Sequence, residues 1–298
     1  MLSSKPTKSL YALLTAAVLV ACGEQEAIDP SRYAPIDSVV KQVKGNLAEA
    51  SSLHEIADID HARLAEEAGS PMGPARVVIF SDPELETALI SENPLAALDL
   101  PLRILSYEGA GAPSLIYNAF DYLVSRYALD SESTQRLRAR YEEDIAAATA
   151  GVPQELFAEF STDTMEPDGI ITIDSPFDFE ETVERINRAI DSQGDTVHFG
   201  VVDFQANAAK IGKSILPSHM ILFGGPGPGG KAMASALTLG LDAFCQKFLI
   251  WQDEDGVTHL SFNDLLALAE RQGVSKALAL RVINFRLKKT FGDALAAE

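Results

Sequence analysis

The sequence reads as an α+β protein built from two copies of one domain, each a mainly antiparallel sheet with helices packed on one face. Three observations carry this. A constant offset of 143 residues aligns 60–99 with 203–242 without a gap, and eight of those forty positions are identical, Asp60/Asp203, Gly69/Gly212, Pro83/Pro226 and Asp99/Asp242 among them. Helical and strand-like hydrophobic patterns follow one another in the same order in both halves. The Asp253-Glu254-Asp255-Gly256 stretch, set between two apolar runs, is a hairpin signal that joins neighbouring antiparallel strands.

Each element has its own justification. Val39, Val43 and Leu47 recur at helical spacing in the first copy, as do Phe179, Val183, Ile186 and Ile190 in the second. Asp178 and Glu181 form a capping box ahead of that second helix. Alternating strands follow over 54–60 and 197–203, then short helices ending at Gly69 and Gly212, then buried strands over 76–80 and 219–223. Proline then opens a helix in each copy, at Pro83 and Pro226. One added residue brings Tyr107 over Trp251, and a second brings Ile116-Tyr117-Asn118 over Ser261-Phe262-Asn263, so a pair of strands follows in each half. Helical regions over 132–149 and 275–291 close the copies. The second copy has an opening strand over 169–174; in the first, the matching residues are broken by prolines, and a short or missing strand is expected.

The first residues read as an export signal. Lys5 and Lys8 precede an apolar run over 10–19, and Leu19-Val20-Ala21-Cys22 has the form of a lipobox. Some ten apolar residues fall short of the roughly 20 that span a bilayer. The segment resembles bacterial lipoprotein signals, which implies cleavage before Cys22 and a lipid on its sulfur. The expected organisation is a signal peptide over 1–21, a tether over 22–35, a first repeat over 36–149, a linker over 150–168 and a second repeat over 169–298. The expected place is the cell envelope, facing the periplasm from the outer membrane in a Gram-negative cell.

Composition narrows the partners. The formal net charge of −19 repels nucleic acid and anionic headgroups, so the membrane is reached only through lipid on Cys22. The chain has two cysteines, and lipidation of Cys22 leaves Cys245 without a partner, to be read as a small buried apolar residue.

Several stretches resemble the family called domain of unknown function 302: Ile59-Asp60-His61-Ala62, Val78-Ile79-Phe80-Ser81-Asp82-Pro83 and Leu98-Asp99-Leu100-Pro101-Leu102-Arg103, with Leu222-Phe223-Gly224-Gly225-Pro226 and Ser261-Phe262-Asn263-Asp264 in the second copy. The resemblance implies a compact α+β fold with a curved sheet, and brings no activity. Some relatives carry a cysteine before the turn and another after the Leu-Pro step. Here the first position is Ser81 or Gly224, Cys245 lies near the second, and Phe244 is read as replacing the proline.

Candidate chemistry is sparse. Asp60, His61, Arg103 and Asn118 could serve an enzyme with a single functional copy, since a histidine beside a carboxylate can act as a general base. Against this, Asp60 suits a helix cap, and Phe204 replaces His61 in the second copy. Gly229, Gly230 and Lys231 follow a strand, as anion-binding loops do, but no Ser or Thr follows the lysine and prolines remove donors, so the stretch is read as a flexible turn. The histidines show no metal-ligand spacing, so no metal or cofactor is expected, nor is there a serine-hydrolase elbow. Arg281, Arg286, Lys288 and Lys289 read as a solvated basic helix. The reading that results is a lipid-anchored binding or envelope-accessory module, not catalytic, with an unidentified protein or small-molecule partner and with its two repeats packed on each other.

Overall fold

The computed structural model describes residues 29–110, 112–129, 131–158, 169–275 and 277–296; the stretch read as an export signal, and Cys22, lie outside the described residues. After a single 3-10 turn at Pro30–Arg32, α1 runs Tyr33–Glu49 and lies across β1 (His54–Asp60), β2 (Ala75–Ser81) and β3 (Leu102–Glu108). Its start falls inside the stretch expected to be tether. Tyr33 and Ile36 are buried, and the Tyr33 hydroxyl donates to Glu66, so residues 33–35 belong to the folded body. With β4 (Pro113–Ile116) these strands form an antiparallel sheet in the order β1-β2-β3-β4. Helices α2 (His61–Glu67) and α3 (Pro83–Glu92) connect the first three strands; α4 (Phe120–Tyr127) and α5 (Ser131–Ala148) follow the sheet. Of the expected linker, Phe157 bridges to Leu115 at the sheet's edge, and 159–168 lie outside the described residues.

The second repeat restates this order. The strands β5 (Ile170–Ser175), β6 (Val197–Asp203), β7 (Ser218–Gly224), β8 (Gln246–Gln252) and β9 (Thr258–Asn263) form an antiparallel sheet ordered β5-β9-β8-β7-β6. Its helices are α6 (Phe179–Asp191), α7 (Phe204–Lys210), α8 (Pro226–Met233), α9 (Leu265–Arg271) and α10 (Leu278–Ala294). The additional strand, β5, is the one expected to be missing from the first copy. Duplication extends to irregularities: the register breaks between Glu55 and Ala57 in β1, and between His198 and Gly200 in β6, 143 residues on in both cases.

Local chemistry sets the element ends. Asp60 and Asp203 cap α2 and α7 by accepting from the backbone N–H three residues on. Gly69 and Gly212 follow those helices at φ +70° and +73°, where a side chain would be strained. The Asp253 carboxylate accepts from Val257 N–H, and Gly256 takes φ +81°, closing the β8–β9 hairpin. The capping box at α6 is half made. Asp178 accepts from Glu181 N–H, but the Glu181 carboxylate turns away to Arg185.

Leu102 pairs with Phe80, and Gln246 pairs with Phe223. The added residue therefore sits before β8, so Cys245 stands where the first repeat has Pro101, and Phe244 stands where it has Leu100. The expected exchange of proline for Phe244 is thus corrected by one position.

The central strands β2, β3, β7 and β8 are buried almost along their whole length, which requires cover on both faces. Helices α1 and α6 supply one cover. The other is reciprocal. The 3-10 turn Pro94–Asp99 lies on β7, β8 and β9, while its equivalent Leu237–Gly240 lies on β2 and β3. In the same way α2 meets α8, α3 meets α7, and β1 meets β6. Most of these contacts have a counterpart with the repeats exchanged, as in an isologous dimer. One apolar cluster runs through both halves.

Candidate functional site: a buried polar centre between the repeats

At this junction three repeated pairs of polar residues come together: Asp99 and Asp242, Arg103 and Lys247, Asn118 and Asn263. Asp99 and Asp242 end the exchanged turns, Arg103 and Lys247 lie on β3 and β8, and Asn118 and Asn263 follow β4 and end β9. All except Asn118, which is half-buried, are less than a tenth exposed.

Asp99 Oδ2 accepts from Arg126 Nη1 at 2.7 Å and from the Tyr127 hydroxyl at 2.6 Å, while Lys247 Nζ stands 3.6 Å from Oδ1. Arg126 crosses the junction, donating from Nη2 to Asn263 Oδ1 at 2.5 Å. The reciprocal link has an amide donor in place of the guanidinium: Asn118 Nδ2 donates to Asp242 Oδ1 at 3.0 Å, and the Tyr141 hydroxyl donates to Asn118 O. Tyr122 accepts from both Arg126 and Arg271. Burial opposes a charge on Asp99, but Arg126 and Lys247 together hold its carboxyl well below the usual range. Burial, aided by neighbouring Arg103, brings Lys247 down to about 7 despite Asp99. Such a centre can fix two surfaces in one register, because separating them would strand buried charge.

The four residues considered for catalysis divide into two groups. Asp60 caps α2 and joins an ion network of Arg63, Asp37, Arg76 and Asp58. His61 is buried and donates from Nε2 to Gly240 O at 3.1 Å; burial lowers its pKa to about 4, leaving the ring neutral. Arg103 and Asn118 belong to the polar centre, where Arg103 Nη2 reaches Leu100 O at 3.4 Å. No hydrogen bond joins any two of the four among the described residues. The cavity beside His61 and Cys245 holds about 20 Å³, room for about one water. Burial also pushes the Cys245 thiol up, away from reactivity.

Gly229 and Gly230, expected in a flexible turn or an anion site, are buried within α8. A Cβ on Gly230 would come 2.5 Å from Ala65 Cβ and 2.6 Å from Ser70 O. Gly230 lets α8 approach α2, Gly229 lies against Phe244, and their amides belong to the helix; Lys231 is exposed. The basic helix is solvated and also meets the chain's own acids: Arg286 pairs with Asp195 and Lys288 with Asp264, each base still more than a third exposed. No group of three His, Cys, Asp or Glu residues that could hold a metal ion occurs among the described residues.

Paired sheets of this kind, joined through duplicated polar residues, define a tandem-repeat α+β protein. The family model "Domain of unknown function DUF302" matches residues 29–148 and 171–289, and the chain belongs to that family. Fluoride-specific ion channel FluC 1 of Brucella suis biovar 1 (strain 1330) is 34% identical over 117 residues, covering 39% of this chain and 45% of that protein. The same protein of Brucella abortus biovar 1 (strain 9-941) is also 34% identical over 117 residues, covering 43% of its length. The chain thus spans less than half the length of these curated relatives. Among solved structures, an uncharacterised conserved DUF302 protein from Bacillus stearothermophilus aligns with TM-score 0.36 and 17% identity, over 42% of this chain and 94% of that one.

Proposed function

We propose that this protein is a lipid-anchored envelope protein whose two repeats pair as an intramolecular pseudo-dimer and act as a binding or accessory module, not as an enzyme. One observation supports the pairing: two buried links cross the junction, Asp99-bound Arg126 to Asn263 and Asn118 to Asp242, and spend the buried polar groups on joining the repeats. The separation of Asp60 and His61 from Arg103 and Asn118 removes support from the enzyme reading.

The anchor rests on the lipobox at Leu19–Cys22. No helix among the described residues is long and apolar enough to cross a membrane. The 117 residues shared with the Brucella channels cannot all lie in the short undescribed segments, so that likeness runs through a repeat. A repeat of this type within a membrane channel's chain is in keeping with work at a membrane.

Expression in a bacterial host followed by mass spectrometry of the amino-terminal peptide tests the anchor. A diacylglyceryl thioether on Cys22, and release of Cys22→Ser from the membrane fraction, are expected. An unmodified Cys22 peptide in the soluble fraction would contradict it. Crosslinking from native membranes then tests the module: a recurrent partner is expected, and turnover of a substrate by the purified protein would overturn the non-catalytic reading.

A further inference from the structure

We propose that an open groove between the repeats, lined by Ile90, Glu92 and Pro94 from the first and by Leu216, Trp251 and Glu254 from the second, binds a small organic cation carrying a guanidinium or ammonium group. The groove encloses about 570 Å³, within the size range of small-molecule sites. Its lining combines apolar side chains, an aromatic ring and the carboxylates of Glu92, Asp253 and Glu254, and none of its lining residues is basic. Asp253 is already engaged by His259, which leaves Glu92 and Glu254 as the charges facing a ligand. The Trp251 ring stacks on His259 at 4.5 Å between centroids and lines the groove beside these carboxylates, and an aromatic ring with carboxylates suits an alkylammonium or guanidinium ion. Ser218 also lines the groove; it is 3% exposed, and its hydroxyl has no hydrogen-bond partner among the described residues.

The duplication supplies an internal control. The equivalent surface of the other half is closed. Leu237, which corresponds to Pro94, reaches over Gly73, where an added Cβ would meet Leu237 Cδ1 at 3.0 Å. Ala75 replaces Ser218 there, and Tyr107 replaces Trp251. Glu108, at the position of Gln252, is also close to Gly73 and accepts two hydrogen bonds from the Arg32 guanidinium. On that side the chain lays its own guanidinium on the acid at the end of the sheet. On the open side Gln252 replaces that acid, the carboxylates come instead from Glu92, Asp253 and Glu254, Pro94 and Leu216 stand where the other half has Leu237 and Gly73, and a polar hydroxyl is added.

Trp251 is the chain's sole tryptophan, so its fluorescence reports directly on the groove. Titration of the intact protein with agmatine, which carries a guanidinium and an ammonium, should give a saturable change, and urea at the same concentrations should give none. Glu92→Gln with Glu254→Gln should weaken binding roughly tenfold, the combined size of two exposed charge pairs. Pro94→Leu, which copies Leu237, should abolish the response while the circular dichroism spectrum is unchanged. No saturable change with agmatine, or an undiminished one in the double variant, would overturn the inference. Saturation by an arginine-containing hexapeptide but not by agmatine would also overturn it, in favour of peptide docking. The inference rests on the binding-module reading, yet the two fail separately: a silent groove leaves the Cys22 lipid untouched, and a missing lipid leaves the titration untouched.

Discussion

Where β2 passes into α3 the first repeat buries acid; where β7 passes into α8 the second buries glycine. In the first, Ser81 donates to Glu86 at 2.7 Å, and Asp82 accepts from Arg140 with the Asp144 carboxyl of α5 beside it. In the second, Gly224, Gly225 and Gly229 stand at the positions of Ser81, Asp82 and Glu86, and Phe244 packs against Gly229. The closing helices follow suit. At this turn α5 contributes Arg140 and Asp144, whereas α10 contributes Phe291, whose ring lies 4.3 Å from Phe248 and 5.7 Å from Phe223. One packing problem thus has an electrostatic solution in one half and an apolar one in the other, and only the electrostatic one titrates at that place.

The largest effect should separate the twin aspartates. Asp99→Ala strands Arg126 and Lys247 in the interior and should cost about 3–5 kcal/mol in urea unfolding, as breaking a buried pair does. Asp242→Ala removes a neutral partner's acceptor and should cost about 1–3 kcal/mol. Equal losses would show that the two halves of the centre carry the same load.

The next comparison is by pH. Burial raises Glu86 to about 8 and Asp144, beside Asp82, to about 8 as well. Their folded values exceed the unfolded ones, so their contribution is full below about pH 4 and is lost as pH rises to about 8. Lys247 runs the other way. Its folded value of about 7 lies below the unfolded 10.5, so its penalty is present below pH 7 and is relieved towards pH 10.5. Thermal midpoints should therefore fall between pH 5 and 8 and recover partly above 8. Glu86→Gln should flatten the fall, and Lys247→Met should remove the recovery. A profile unchanged in both variants would mean that neither group titrates as its surroundings require.

A smaller difference is expected at the helix contacts. Gly230→Ala forces α8 away from Ala65 and Ser70 and should cost about 1–3 kcal/mol. Thr87→Ala, at the matching position of α3, only removes atoms and should cost about 1 kcal/mol. Chemical denaturation of both variants checks the order.

Much of this could be read from the residues because local chemistry dictated it. The caps Asp60 and Asp203, the left-handed Gly69 and Gly212 and the Asp253–Gly256 hairpin need no tertiary context. The junction does. Gly225–Gly230 has turn composition, yet it is helical because only glycine admits α2 at that distance, a tertiary demand that overrides propensity. Arg126 sits on a short helix whose pattern gives no sign that its guanidinium is buried. The polar centre nevertheless left a trace: Asp99/Asp242 and Asn118/Asn263 match between the copies, which a surface residue has no reason to do. Arg103 and Asn118, which the sequence offers as candidates for catalysis, lie at the buried junction of the repeats, apart from Asp60 and His61. That the basic residues of α10 also meet acids could not be read, because Asp195 and Asp264 are distant in sequence.

The central claim is that the two repeats form one cooperative unit through the buried centre. Differential scanning calorimetry of the intact chain, with and without Asp99→Ala, tests it most directly. A single transition is expected, displaced as a whole to lower temperature by the substitution. Two separate transitions, with Asp99→Ala moving just one of them, would show that the repeats fold independently and that the junction does not couple them.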